Sequence, residues 1–188
     1  IAGKIPACKW VKLAAKRQIS DLQKYSGPRS TYVFDETEAS RVCKFIELLT
    51  HTKGELAGTR IKLEPWQVFI LSTAFGWRRR SDGGRRFRRV YIEVPRGNGK
   101  SCLSSGVALY CLVADREPGA EVYSFATTRD QAKIVFGDAK VMAEHNAPLR
   151  SQFGLQVLAN ALYVPTTNST FQAKSAEGST LDGLNTHL

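Results

Sequence analysis

Between residues 8 and 24, Trp10, Val11, Leu13, Ala14, Ile19 and Leu22 recur at mostly helical spacing, and the lysines fall largely between them. This pattern predicts a basic amphipathic helix, which Ser26-Gly27-Pro28 then breaks. Thr37 followed by Glu38 opens a second helix with an apolar stripe of Val42, Phe45, Ile46 and Leu49; Gly54 and Gly58 fall in the loop behind it. Pro65 stands at a first helical position, and Trp66, Phe69, Ile70 and Ala74 follow on one face as far as Gly76. Residues 78–86 read as a polar loop rich in arginine and glycine.

The pattern then changes period. Arg89-Val90-Tyr91-Ile92-Glu93-Val94 predicts a strand, Pro95 to Gly99 a turn-rich segment, and the stretch from Lys100 through Leu103, Val107, Leu109, Leu112 and Val113 a helix closed by Pro118-Gly119. Glu121-Val122-Tyr123-Ser124-Phe125-Ala126 predicts a second strand. Thr127 or Thr128 caps a further helix carrying Ala132, Val135, Phe136, Ala139 and Met142. After Pro148, short β-like runs between 155 and 174 predict a hairpin on the edge of a sheet. Strand, helix, strand, helix is the alternation of an α/β architecture, a mostly parallel sheet covered by helices. The change of character divides the chain into a helical, basic region over 1–58 and an α/β domain over 59–188.

With 43% hydrophobic residues in 188, the chain has enough apolar side chains for a packed core. No stretch approaches the roughly 18–20 apolar residues of a membrane span, so no membrane role is expected. Cys8, Cys43, Cys102 and Cys111 form no C-x-x-C pair and have no histidine at zinc-ligand spacing, which fits thiols in a reducing compartment. His51, His145 and His187 are scattered and read as ordinary surface or core residues.

Charge narrows the partners. The formal net charge is +10, a balance that attracts polyanions, with nucleic acid first among them and an acidic protein as the alternative. The charge is clustered. Lys4, Lys9, Lys12, Lys16, Arg17, Lys24 and Arg29 stand against Asp21 in the first thirty residues. Arg78, Arg79, Arg80, Arg85, Arg86, Arg88 and Arg89 stand against Asp82 further on. The second cluster suits phosphate contact with DNA, contact with another subunit, or a solvated face.

The segment with the most specific chemistry is Val94-Pro95-Arg96-Gly97-Asn98-Gly99-Lys100-Ser101, between a predicted strand and a predicted helix, the setting of a phosphate-binding P-loop. Glycines let backbone N–H groups turn toward an anion, and the helix N-terminus adds unpaired donors and a favourable dipole. Lys100 would reach the β and γ phosphates, and Ser101 would ligate Mg²⁺. Val94 stands where the common pattern G-x-x-x-x-G-K-[ST] has its first glycine. Arg96 has two readings: a guanidinium that stabilises charge on the γ-phosphate, or one that points outward to a neighbouring subunit or solvent. Gln67, early in its predicted helix, has the donor and acceptor an adenine edge needs, whereas Trp66 suits core packing. The Thr127-Thr128-Arg129-Asp130-Gln131-Ala132 run follows the second strand. It belongs either to the ligand-bearing edge of the sheet or simply to a helix cap.

Taken in order, P-W-Q at 65–67, V-P-R-G-N-G-K-S at 94–101, a strand with T-x-x-Q-A at 128–132, a hairpin, and G-x-N-x-H at 183–187 resemble the large terminase subunit of tailed bacteriophages from about residue 60 onward. The first 60 residues match loosely. The resemblance implies a RecA-like, additional-strand P-loop NTPase preceded by N-terminal helices. It also implies a ring on the portal protein of a procapsid in the host cytoplasm, working with the small terminase subunit and using ATP and Mg²⁺ to drive double-stranded DNA inward. Gln67 then reads adenine, Pro95, Arg96, Gly97, Asn98, Gly99 and Lys100 cradle the phosphates, and Ser101 takes the metal.

In that family a Walker B strand ending in Asp-Glu, and later a nuclease domain, follow the G-x-N-x-H segment. The present 188 residues stop at Leu188, so they are expected to be an incomplete ATPase domain. Phosphoryl transfer depends on positioning the metal and the attacking water. The polypeptide alone is therefore expected to hydrolyse ATP very slowly; turnover like that of an intact ATPase, abolished by Lys100→Ala, would refute this. The competing readings are a non-catalytic basic module for nucleic acid or a viral partner, and a different, helicase-like P-loop NTPase.

Overall fold

The computed structural model describes residues 6–175 and 186–188; of the G-x-N-x-H segment, Gly183 and Asn185 lie outside the described residues. The chain forms two compact units that interleave along the sequence. One holds residues 1–43 with 64–92, and the other residues 44–63 with 93–188.

In the first unit, α1 (Lys9–Lys24) is the predicted basic helix. It is followed by β1 (Tyr32–Phe34) and the start of α2 (Glu36–Glu47). Asp35 caps α2, its Oδ1 accepting from the Thr37 and Glu38 N–H groups at 2.9 and 3.0 Å. Helix α3 (Pro65–Gly76) begins at its proline as expected. The segment expected to be an arginine loop instead opens with β2 (Trp77–Arg79), antiparallel to β1, with Phe34 opposite Trp77. Trp77 is fully buried in a box of aromatic edges. Tyr25 and Phe34 stand T-shaped to it at 5.8 and 5.4 Å, and its indole N–H donates to Gln18 Oε1 at 2.8 Å.

The second unit contains the end of α2, α4 (Lys100–Val113), β3 (Glu121–Ala126), α5 (Arg129–Glu144), α6 (Ala147–Phe153), β4 (Gln156–Val157), β5 (Leu162–Val164) and β6 (Ser169–Ser175). Its four-stranded sheet runs β3-β6-β5-β4. Only the β3–β6 pairing is parallel, with Val122 opposite Phe171; β6–β5 and β5–β4 are antiparallel. The α/β architecture is as expected, and among the described residues its sheet is mixed, with one parallel and two antiparallel pairings. The predicted hairpin exists as β5–β6, but β6 lies inside the sheet, where its buried Phe171 meets Phe136 of α5 edge-on at 5.4 Å. Along the outer side of β3, Thr186 forms a parallel bridge to Glu121, and Tyr123 N–H donates to Leu188 O at 2.8 Å.

The strand predicted over residues 89–94 is not formed. An isolated extended run gains no ladder hydrogen bonds, and among the described residues no strand pairs with this one. Val90 and Tyr91 are 52% and 87% exposed, so no face of the run is packed as a central strand would be.

Two details fix the helices of this unit. Ile46 of α2 lies close to Gly106, where an added Cβ would come 3.1 Å from Ile46 Cγ2, so a side chain there would need Ile46 to give by a few tenths of an ångström. Thr128 is the N-cap of α5, its Oγ1 accepting from Gln131 N–H at 3.3 Å. Thr128→Ala is expected to lower stability by about 1 kcal/mol, read as a fall in the denaturation midpoint with an unchanged denaturant slope.

Candidate functional site: a glycine loop at the start of α4

Helix α4 is anchored along its length by Leu103, Ala108, Leu109 and Leu112, all buried, and packs on α5, β3 and β6. Its first turn is tied down by Ser105, whose fully buried hydroxyl lies 2.8 Å from both Ser101 O and Val135 O. The loop before α4 therefore rests on a fixed helix end.

Residues 95–99 are exposed. Gly97 and Gly99 adopt φ of 80° and 70°, the left-handed region that glycine enters without strain. Around a Cβ placed on Gly97 there is open space, so the objection to a side chain there is backbone strain and not crowding. Gly99 is the N-cap of α4 and has no side chain to satisfy the first N–H groups, and the first turn holds no acid. These unsatisfied donors and the helix dipole favour an anion over this turn. Asn98 Nδ2 donates to Pro95 O and Arg96 O at 3.2 and 3.3 Å, closing the loop on itself.

Lys100 Nζ donates to Val94 O at 2.6 Å and to Pro95 O at 2.8 Å. The ammonium is thus held over the loop by carbonyl dipoles, and among the described residues no carboxylate is bonded to it. Arg96 is exposed at the tip. Cys102, next to Ser101, has its thiol pushed up by burial and then by the negative charge of Asp138, so it stays protonated and inert at neutral pH.

The other sequence candidates fall elsewhere. Gln67 is half-buried in the first turn of α3 within the first unit, and its Oε1 accepts from Glu64 N–H at 2.9 Å. Thr127 Oγ1 donates to Gln131 Oε1 at 3.0 Å just after β3. The arginine cluster is largely engaged within the first unit. Arg78 pairs with Glu38 at 2.9 Å, Arg79 with Asp82 at 2.9 Å, and Arg85 lies over the Phe75 ring at 5.0 Å. The Gly84 backbone N–H, and beyond it Arg79, hold the Asp82 carboxyl below its usual range. Arg86 is the most enclosed. Its guanidinium lies 4.7–5.2 Å from the Tyr25, Tyr32, Trp77 and Phe87 rings and 3.0 Å from the buried Asp21, a charge contact rather than an aligned hydrogen bond. Arg80 is exposed, reaching Ser30 Oγ only at 3.5 Å.

Comparison with known proteins bears on this loop. Residues 65–188 match the family described as terminase large subunit, ATPase domain. The large terminase subunit of Enterobacteria phage HK97 is 29% identical over 150 residues, which is 79% of this chain and 29% of that protein. The crystal structure of the HK97 large terminase superposes with a TM-score of 0.64 at 27% identity, again over 79% of this chain and 29% of that one. The chain thus spans less than a third of the length of these relatives. The matched stretch contains the glycine loop, α4 and the whole sheet, and by that match the chain belongs to the large terminase subunit family, in its ATPase domain.

Proposed function

We propose that this chain supplies the ATP-binding part of a viral DNA-packaging motor, a P-loop ATPase that couples ATP hydrolysis to movement of double-stranded DNA into a procapsid. One observation carries the reading: an exposed loop with two left-handed glycines, opening a helix with no side-chain cap and no acid in its first turn, beside a lysine that among the described residues is bonded only to carbonyls. In this reading the N–H groups of residues 97–101 surround the phosphates, Lys100 exchanges its carbonyl contacts for the β and γ phosphates, and Ser101 holds Mg²⁺, which screens the charge of the triphosphate. The site fits that cation through its hydroxyl and the anion it accompanies. In the same reading the exposed Arg96 meets either the γ-phosphate or a neighbouring subunit, and Gln67 is assigned to the adenine.

The partners proposed with this function are double-stranded DNA, the portal protein, the small terminase subunit and further copies of the subunit in a ring, in the host cytoplasm. No helix among the described residues is long and apolar enough to cross a membrane. The deciding experiment is binding of fluorescent ATP with Mg²⁺ to the 188-residue chain and to its Lys100→Ala variant. Saturable binding that the variant loses supports the nucleotide site. Equal binding by both would leave a basic interaction module as the better description.

A further inference from the structure

The C-terminal end of α4 and the segment beside β3 meet at a cluster apart from the glycine loop. Cys111 lies in the last turn of α4, and Asp115 follows just beyond the helix's C-cap, Ala114. His187 comes from the segment beside β3, where its N–H donates to Glu121 O at 2.8 Å, fixing its place in the ladder. One ligand atom from each of Cys111, Asp115 and His187 lies within 4.8 Å of the others, and His187 Nε2 is 2.8 Å from Asp115 Oδ2. The cluster is enclosed: Cys111 is 1% exposed, and the side chains of His187 and Asp115 are 15% and 3% exposed.

We propose that Cys111, Asp115 and His187 form a binding site for a divalent transition metal of the zinc class, with one coordination position open to water. Thiolate, carboxylate and imidazole together are a borderline-soft donor set that suits Zn²⁺ better than Mg²⁺ or Ca²⁺. Ligand atoms around a tetrahedral Zn²⁺ lie about 3.3–3.8 Å apart, so the shifts needed here are about 1 Å, within reach of side-chain torsions. Charge also favours it: a dication held by a thiolate, a carboxylate and a neutral imidazole makes an uncharged set, with the protons it displaces leaving to solvent, so no uncompensated charge is buried. Bound metal would pin the end of α4 to the segment beside β3.

Cobalt(II) tests this directly with the whole chain and no nucleotide, so failure here leaves the ATP-site reading untouched. The expected result is one Co²⁺ per chain, with a near-ultraviolet thiolate-to-cobalt charge-transfer band, tetrahedral visible bands, and displacement of both by Zn²⁺. Cys111→Ser should abolish the charge-transfer band, and His187→Gln should weaken Co²⁺ binding about tenfold or more, with circular dichroism checking that each variant folds. Absence of the band in the unmodified chain at millimolar Co²⁺ would overturn the proposal without any variant. So would a band unchanged in folded Cys111→Ser or folded His187→Gln protein.

Discussion

Lys100→Ala is expected to weaken binding of Mg²⁺-ATP by about 2–4 kcal/mol, the loss of a close charge pair with the phosphates, which is roughly 30- to 700-fold in Kd. The fold should not register the change. Among the described residues the ammonium is bonded only to Val94 O and Pro95 O, and these carbonyls can turn to water once it is gone. Calorimetric titration with Mg²⁺-ATP measures the first effect and denaturant unfolding the second. An affinity unchanged within threefold, in a folded variant, would mean that the ammonium does not reach the phosphates, and the proposed nucleotide site would fall with it.

The second large effect concerns Arg86 and Arg80, neighbours in a sequence cluster but not in environment. Removing the Arg86 side chain strands the carboxylate of Asp21, whose side chain is 11% exposed, and empties the middle of an aromatic box. Breaking a buried pair from one side costs about 3–5 kcal/mol, so Arg86→Ala should lose about that much stability in denaturant unfolding. Arg80→Ala, at an exposed position, should change stability by no more than about 0.5 kcal/mol. If Arg80 meets a DNA phosphate, its loss should lower the slope of log affinity against log salt by about 1. Should Arg86→Ala unfold like the parent protein while lowering the salt slope as Arg80→Ala does, the division between a structural and a solvent-facing arginine is wrong.

These two cases mark where sequence reading succeeds and where it stops. The glycine loop was legible because its chemistry is local. Gly97 and Gly99 must enter left-handed backbone, Lys100 follows at once, and a helix with a buried stripe must start there, all within eight residues. Helices α1, α3, α4 and α5 and strand β3 were legible for the same reason, since period, proline and cap act within one element. The arginines were not. Between residues 77 and 89 they look like one polyanion-binding stripe, yet Arg86 is claimed by Asp21 and Tyr25 and Arg78 by Glu38, partners forty or more residues away that no local pattern announces. The run at 89–94 failed in the opposite sense. It has the composition of a strand, but a strand is a relation between two segments, and among the described residues no strand pairs with it.

The sequence by itself determined the elements with local causes and the glycine-loop backbone of residues 94–101, because turn geometry, helix capping and the order of glycine, lysine and serine are short-range properties. Tertiary structure alone decided that the sheet is mixed, that Arg86 is enclosed while Arg80 faces solvent, and that Cys111, Asp115 and His187 meet. Each of those outcomes depends on which distant segments share a low-dielectric interior. There, unpaired charge and unpaired backbone are expensive enough to choose their own partners.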